Sequence, residues 1–146
     1  MTKQHKTLRI RIPPYQHPRN EWRRSIIAQI EQAATARAVT YQPQDQLELI
    51  VTIYMTTDEI VWHDVDNRLK DIMDALQGRA GGSKAKKGLA AVVPNDHQIH
   101  KVTIEKRTIP PQSHGWGHLI IRKYKESANK RLHRIANKSG SGEPQR

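Results

Sequence analysis

The sequence predicts one mixed α/β (α+β) domain with a mixed sheet and the element order β-α-β-α-β-β. Segments in which apolar residues alternate with period two are interleaved with segments in which they recur at helical spacing. The chain has 146 residues, which is enough for one domain with a real hydrophobic core. It contains no cysteine, so disulfides and thiolate metal sites do not contribute to the fold.

The first part of the chain predicts a helix between two strands. Residues 7–13 alternate between apolar and basic side chains, and two consecutive prolines end this strand. A helix is predicted from Asn20, a favourable N-cap, to about Ala38. Residues 46–56 form the clearest strand, because five apolar side chains lie on one of its faces.

The second predicted helix carries charged residues that are candidates for a functional site. It begins near Asp66 or Asn67 and ends near Gly78. Asp66 and Lys70 are four residues apart and are therefore neighbours at one edge of the helix, whereas Asp71 is expected to face solvent. The apolar stripe that should face the core consists of Leu69, Ile72, Met73 and Leu76.

Two further strands and a basic tail complete the predicted organisation. Residues 79–88 have the composition of a flexible basic loop. Strands are predicted over residues 98–107 and 117–124. Residues 126–146 are basic and poor in apolar side chains, so we expect a domain over residues 1–125 followed by a flexible tail.

The charge balance predicts a polyanionic partner. The formal net charge is +11, from 25 Lys and Arg against 14 Asp and Glu, and nucleic acid is the default partner of such a chain. No apolar run approaches the ~20 residues of a membrane-spanning helix, and the first residues lack the apolar core of a signal peptide. We therefore expect no membrane partner and a cytoplasmic location with nucleoid DNA.

Three aspartates and a lysine are the candidates for catalysis: Asp64, Asp66, Asp96 and Lys70. Hard cations such as Mg²⁺ bind carboxylate oxygens, water and substrate phosphates. Such a metal can activate water, and a lysine can add a fixed positive charge beside the phosphate. Asp96 would join the other two acids if the strand that follows it pairs near the start of the helix. The spacing alone also fits helix caps or solvated acids.

Asp64 begins the stretch D-V-D-N-R-L-K-D-I-M-D-A-L-Q-G, which is followed later in the chain by V-V-P-N-D-H-Q-I. These two segments resemble the RusA-like Holliday junction resolvases. The resemblance covers about residues 8–124 and depends on the D-x-D-N-x-x-K and N-D-x-Q-I motifs. It implies a small homodimeric crossover junction endodeoxyribonuclease that makes paired, Mg²⁺-dependent incisions in four-way DNA junctions during recombination and repair. Asp64, Asp66 and Asp96 match the metal-binding aspartates of that family, and Lys70 matches its catalytic lysine.

Several basic residues are expected to contact the DNA backbone: Lys84, Lys86, Lys87, Arg68 and Arg79. For the lysines, a solvated loop is the alternative. His63, His97 and His100 lie near the acids, and the H-x-x-H spacing of His97 and His100 is compatible with a transition-metal site. The pair lacks a third clear ligand. Trp62 admits a base-stacking role, whereas Trp22 is expected in the core.

Two alternative functions remain open from the sequence. One is a basic protein that binds DNA junctions without cutting them, which predicts binding and no strand scission in any divalent metal. The other is a nuclease with the same chemistry on another branched DNA, such as a fork or a flap. A panel of branched substrates separates these alternatives from junction resolution.

Overall fold

Four strands form one mixed sheet in the order β1-β4-β2-β3. The structure is a computed structural model that describes residues 7–80 and 92–126. The predicted fold class is confirmed, while the homodimer remains a prediction. The elements are β1 (Leu8–Ile12), α1 (Arg19–Arg37), β2 (Leu47–Met55), α2 (Thr57–Trp62), α3 (Val65–Leu76), β3 (Ile99–Thr108) and β4 (Gly117–Lys123).

The direction of each strand decides where the candidate site residues lie. β4 pairs antiparallel with both β1 and β2, whereas β3 pairs parallel with β2. A parallel pair needs a long crossover connection, which here contains α2 and α3. Leu47 is opposite Ile99, and Met55 is opposite Thr108. β3 therefore begins beside the start of β2, at the end of the sheet opposite to α2.

The hydrophobic core lies between one face of the sheet and helices α1 and α3. Trp22 of α1 is fully buried, as expected, and its indole Nε1 donates a hydrogen bond to the Pro13 carbonyl oxygen at 2.9 Å. With no Phe in the chain, the strands fill the core with aliphatic side chains and one methionine. The inward residues of β1, β2 and β4 are Leu8, Ile10, Ile12, Leu47, Leu49, Val51, Ile53, Met55, Leu119 and Ile121.

The start of α1 and the presence of α2 differ from the prediction. α1 begins at Arg19 with Pro18 at the N-cap, so Asn20 lies inside the helix. The short helix α2 was not predicted. It begins with a capping box in which Glu59 N donates to Thr56 Oγ1 and Thr56 N donates to Glu59 Oε1, both at 3.1 Å. The S/T-x-x-E signature of this box is present in the sequence.

The buried face of α3 is rotated relative to the predicted stripe. Its buried residues are Arg68, Asp71, Ile72, Ala75 and Leu76. Leu69 is partly exposed, and Met73 packs at the edge of the core. The expectation that Asp71 faces solvent is wrong, because its side chain is 0% exposed. The rotation follows from basic residues of α1, which face α3 and hold Asp71 inside.

Some predictions lie outside the described residues. They concern most of the basic loop and the fold of the tail after Glu126. Within the described residues, no helix combines the length and apolar character needed to cross a membrane.

Gly117 at the start of β4 provides a test of the sheet packing. A Cβ atom at this position would lie 2.1 Å from the Thr52 carbonyl oxygen, a backbone atom of the central strand. We expect Gly117→Ala to lower the free energy of unfolding by about 2–3 kcal/mol, because the two strands must separate to admit the methyl group. Urea denaturation measures this difference. His118→Ala, at the exposed next position, is the control and should change the free energy of unfolding by less than about 0.5 kcal/mol. Equal effects of the two changes would contradict the prediction.

Candidate active site

Asp64 and Asp66 lie side by side at the start of α3. Asp64 occupies the N-cap position, but its side chain accepts no hydrogen bond from the helix backbone. Asp66 Oδ1 accepts a hydrogen bond from Asn67 N at 3.0 Å. Both residues are exposed, and neither forms a salt bridge with a basic residue of the described segments. The capping interpretation is therefore not realised at Asp64, and both residues have carboxylate oxygens available to a cation.

Lys70 lies one helical turn after Asp66. Residues four apart on a helix have Cβ atoms about 5–6 Å apart, and two peptide units keep the Cα atoms of Asp64 and Asp66 within about 7.6 Å. Lys70 is exposed and forms no salt bridge within residues 7–80 and 92–126. The fold therefore brings together these three predicted residues at one end of α3.

Asp96 lies at the other end of α3. Val92 N donates to Leu76 O at 3.1 Å and Gln77 Nε2 donates to Val93 O at 2.8 Å, so the chain that leads to Asp96 passes the carboxyl end of the helix. The 12 residues of α3 span about 18 Å. We correct the expectation that Asp96 reaches the other acids within one protomer: the parallel pairing of β2 and β3 places the start of β3 at the opposite end.

Lys106 shows that the later part of β3 lies beside the amino end of α3. Its ammonium donates to the His63 carbonyl oxygen at 2.6 Å and also to the Ile60 carbonyl oxygen, so it caps the end of α2 directly before Asp64. Lys106 follows Asp96 by ten residues, of which Asp96–Gln98 form a short 3-10 turn and the rest belong to the extended strand β3. Within the described residues there is no group of three or more His, Asp or Glu side chains arranged to hold a metal ion.

A buried glutamine holds the turn that contains Asp96. Gln98 Nε2 donates to the carbonyl oxygens of Gln42 and Asp45, both at 2.8 Å, and Gln98 Oε1 accepts from Asn95 N at 2.9 Å. Gln98 is 3% exposed, whereas Asp96 is exposed. The glutamine of the N-D-x-Q-I motif thus anchors the turn to the loop before β2, and the aspartate faces outward.

The Arg68 side chain lies in the interior of the protein. Its guanidinium lies 4.3 Å from the centroid of the Tyr15 ring, and its Nε atom is 3.2 Å from Asp71 Oδ2. The two atoms pair by charge without hydrogen-bond alignment. Because the Arg68 side chain is 8% exposed and already paired, we correct the expectation that it contacts DNA.

His63, the residue before Asp64, contacts both Tyr15 and Arg68. Its ring packs against Tyr15 with centroids 4.6 Å apart, and its Nδ1 atom is 3.0 Å from Arg68 Nη1. Because a guanidinium can only donate, Nδ1 is the acceptor, and a neutral ring carries its proton on Nε2. Burial, followed by the charge of Arg68, lowers the pKa of His63 below its usual value of 6.5.

A buried ion network holds α1 against α3. Asp71 Oδ1 accepts from Arg19 Nη2 at 2.7 Å and from Arg23 Nε at 2.9 Å, and Asp71 Oδ2 faces Arg68. Arg23 also pairs with Asp74 at 3.0 Å. The sequence contains the basic residues at i, i+4 spacing on the first helix, but it does not indicate which acid they face.

The remaining predicted residues are four basic residues and two ring-bearing residues near the acids. Arg79 is exposed just beyond α3 and remains available to a phosphate. The three lysines predicted to contact DNA, Lys84, Lys86 and Lys87, lie outside the described residues. Trp62, two positions before Asp64, is 82% exposed, and His100 stacks on Tyr124 with centroids 5.4 Å apart.

No protein-family model matches the chain, and no curated protein matches it.

Proposed function

We propose that the protein is a Mg²⁺-dependent endonuclease that cuts four-way DNA junctions as a homodimer in the cytoplasm. The observation that carries this proposal is the exposed pair Asp64 and Asp66, which no basic side chain of the described residues neutralises although the chain has a net charge of +11. Bare carboxylates repel a DNA phosphate unless a cation lies between them. A pair of this kind in a basic protein therefore favours a metal site facing DNA.

The donor set fits a hard divalent cation. Mg²⁺ is usually held by one or two carboxylates together with water and substrate phosphates, and Asp64 and Asp66 supply two. When bound, the metal would activate water and offset negative charge on the phosphate. Lys70, one helical turn after Asp66, would hold a phosphate oxygen and stabilise the additional charge of the transition state.

The position of Asp96 supports a site shared between two copies of the chain. Within one protomer the length of α3 separates Asp96 from the acid pair, whereas a second copy can bring its own Asp96 to that pair. A two-fold dimer then forms two equivalent shared sites, which match the two-fold symmetry of a four-way junction. Asp96 would complete each site from the partner.

Mixed variants test both the activity and the sharing. Asp66→Asn and Asp96→Asn proteins, each inactive alone, are refolded together and assayed on a synthetic four-way junction in Mg²⁺. In a shared arrangement the mixed dimer has one intact site, because one copy retains Asp66 and the other retains Asp96. We expect recovery of nicking on one strand, to about half the native rate per mixed dimer, as measured by denaturing gel electrophoresis of labelled strands.

A mixture of Asp64→Asn with Asp66→Asn is the matched control, because both changes damage the same half of each shared site. It should stay inactive. Recovery in both mixtures, or in neither, would contradict sharing. A native chain that leaves the junction intact in Mg²⁺ and Mn²⁺, or that cuts linear duplex equally well, would contradict the proposed function.

The distance of Asp96 from the acid pair favours one second candidate, a protein that binds junctions without cutting them. A monomer would hold only two of the three acids at one end of α3. This candidate predicts a stable complex with the junction and intact strands in every divalent metal. Forks and flaps in the same assay separate junction resolution from cutting of other branched DNA.

A further inference from the structure

The sheet has a second face, directed away from α1 and α3. Along β1 the buried residues alternate with Arg9 and Arg11, which are exposed. The antiparallel register places Arg9 opposite Ile120 and Arg11 opposite His118. Directly paired residues share a face of the sheet, so these four side chains lie together on the face away from the helices.

These side chains line an open groove with a volume of about 310 Å³ across β1 and β4. Arg9 and Arg11 are two residues apart on one strand, which places their Cα atoms about 6.8 Å apart. The guanidinium of Arg11 lies 5.3 Å from the centroid of the Trp116 ring. We call the surface formed by Arg9, Arg11, His118 and Ile120 the arginine face.

The charges around the groove are strongly asymmetric. On the neighbouring strands, Glu48 pairs with Arg122 at 3.0 Å and lies 3.8 Å from Lys101. Arg9 and Arg11 form no salt bridge with any acid of the described residues. On this face of the sheet, Arg122, Lys101 and Arg107 each have an acidic partner, whereas Arg9 and Arg11 have none within the described residues.

We propose that the arginine face binds the phosphate backbone of a DNA arm, as a second contact surface away from the acid pair. This proposal rests on the proposed function, because it takes DNA as the partner. Two unneutralised guanidiniums beside an open groove complement a polyanion, and arginine binds phosphate through two parallel hydrogen bonds. Pairing of this face with itself in a dimer would bring like charges together, which opposes a second copy as the occupant.

The test compares two double variants that lose the same charge. Arg9→Gln with Arg11→Gln removes the arginine face, whereas Arg24→Gln with Arg37→Gln removes two exposed arginines of α1. Fluorescence anisotropy measures the Kd for a labelled four-way junction and for linear duplex in EDTA, where no strand is cut, over a series of KCl concentrations. Melting temperatures and light scattering report folding and oligomeric state.

We expect the arginine-face variant to bind about tenfold more weakly at 100 mM salt, with a slope of log Kd against log salt reduced by about 1.8, since each lost phosphate contact contributes about 0.9. The α1 variant should keep the native slope within about 0.3. Arg9→Lys with Arg11→Lys should recover most of the slope, because it restores the charge.

Equal slopes for the two glutamine variants would overturn this inference and leave the proposed function standing. A native chain that binds no DNA would overturn both. A change of oligomeric state in the arginine-face variant, with unchanged binding per protomer, would show instead that the face joins copies of the chain, and it would overturn the inference as well.

Discussion

Replacing Asp66 by Asn is expected to slow junction cleavage about a thousandfold at saturating Mg²⁺, while the Kd for the junction changes by less than about threefold. The amide keeps the size of the side chain but removes the charge that holds the metal. Because Asp66 is exposed and forms no salt bridge within the described residues, the change should not disturb the fold. Single-turnover cleavage of a labelled junction gives the rate, and anisotropy in Ca²⁺ gives the Kd.

Asp58→Asn provides the matched control for this prediction. Asp58 is an exposed acid in the first turn of α2, so the variant has the same net charge and a similar helix position. It should cut junctions at the native rate. Cleavage by Asp66→Asn at a rate near that of the control would exclude Asp66 from the metal site. Loss of cleavage accompanied by loss of binding would assign Asp66 a binding role rather than a catalytic one.

Replacing Asp71 by Asn is expected to lower the free energy of unfolding by about 3–5 kcal/mol. Asp71 is fully buried and faces three guanidiniums, and the side chains of Arg23 and Arg68 are 9% and 8% exposed. Without the carboxylate, Arg68 stays buried with no charge to balance it, and Arg23 keeps only the partly exposed Asp74 as a partner. The contact between α1 and α3 also loses its central acceptor. Urea denaturation followed by circular dichroism measures the loss.

Asp74→Asn is the control for the buried network. Asp74 belongs to the same helix and pairs with Arg23, but its side chain is 22% exposed, so water can compensate for the lost charge. Its cost should stay below about 1 kcal/mol. Combining Asp71→Asn with Arg68→Met should cost less than the sum of the two single changes, because the double variant no longer buries an unpaired guanidinium at that point. Strict additivity of the two changes would contradict this account.

The strands and the acid pair could be predicted because their signals are local. The alternation over residues 47–55 requires one face inward whatever the strand pairs with. Asp64, Asp66 and Lys70 lie within seven consecutive residues, and a helix that starts between them brings them together. The short helix α2 was also readable from its capping box, although its apolar side chains Val61 and Trp62 are exposed and provide no periodic pattern.

The errors concern contacts between residues far apart in the chain. The spacing of apolar residues, taken alone, predicts a helix face with Leu69 toward the core and Asp71 toward solvent. The actual face was selected by Arg19 and Arg23, about 50 residues earlier, which provide charged partners for the buried Asp71. The predicted contact of Arg68 with DNA is wrong for a related reason. The sequence shows the charge of this residue but does not show that its side chain is buried.

By itself, the sequence determined the four strands, the two long helices, the mixed α+β class and the proximity of Asp64, Asp66 and Lys70, because each depends on residue spacing within a short segment. Only the tertiary structure decided where Asp96 lies. That position depends on β3 running parallel to β2, and strand direction is a property of the whole sheet that no local pattern encodes. The parallel pairing separates the third acid from the other two by the length of α3, and this separation is the structural reason to propose a site shared by two copies.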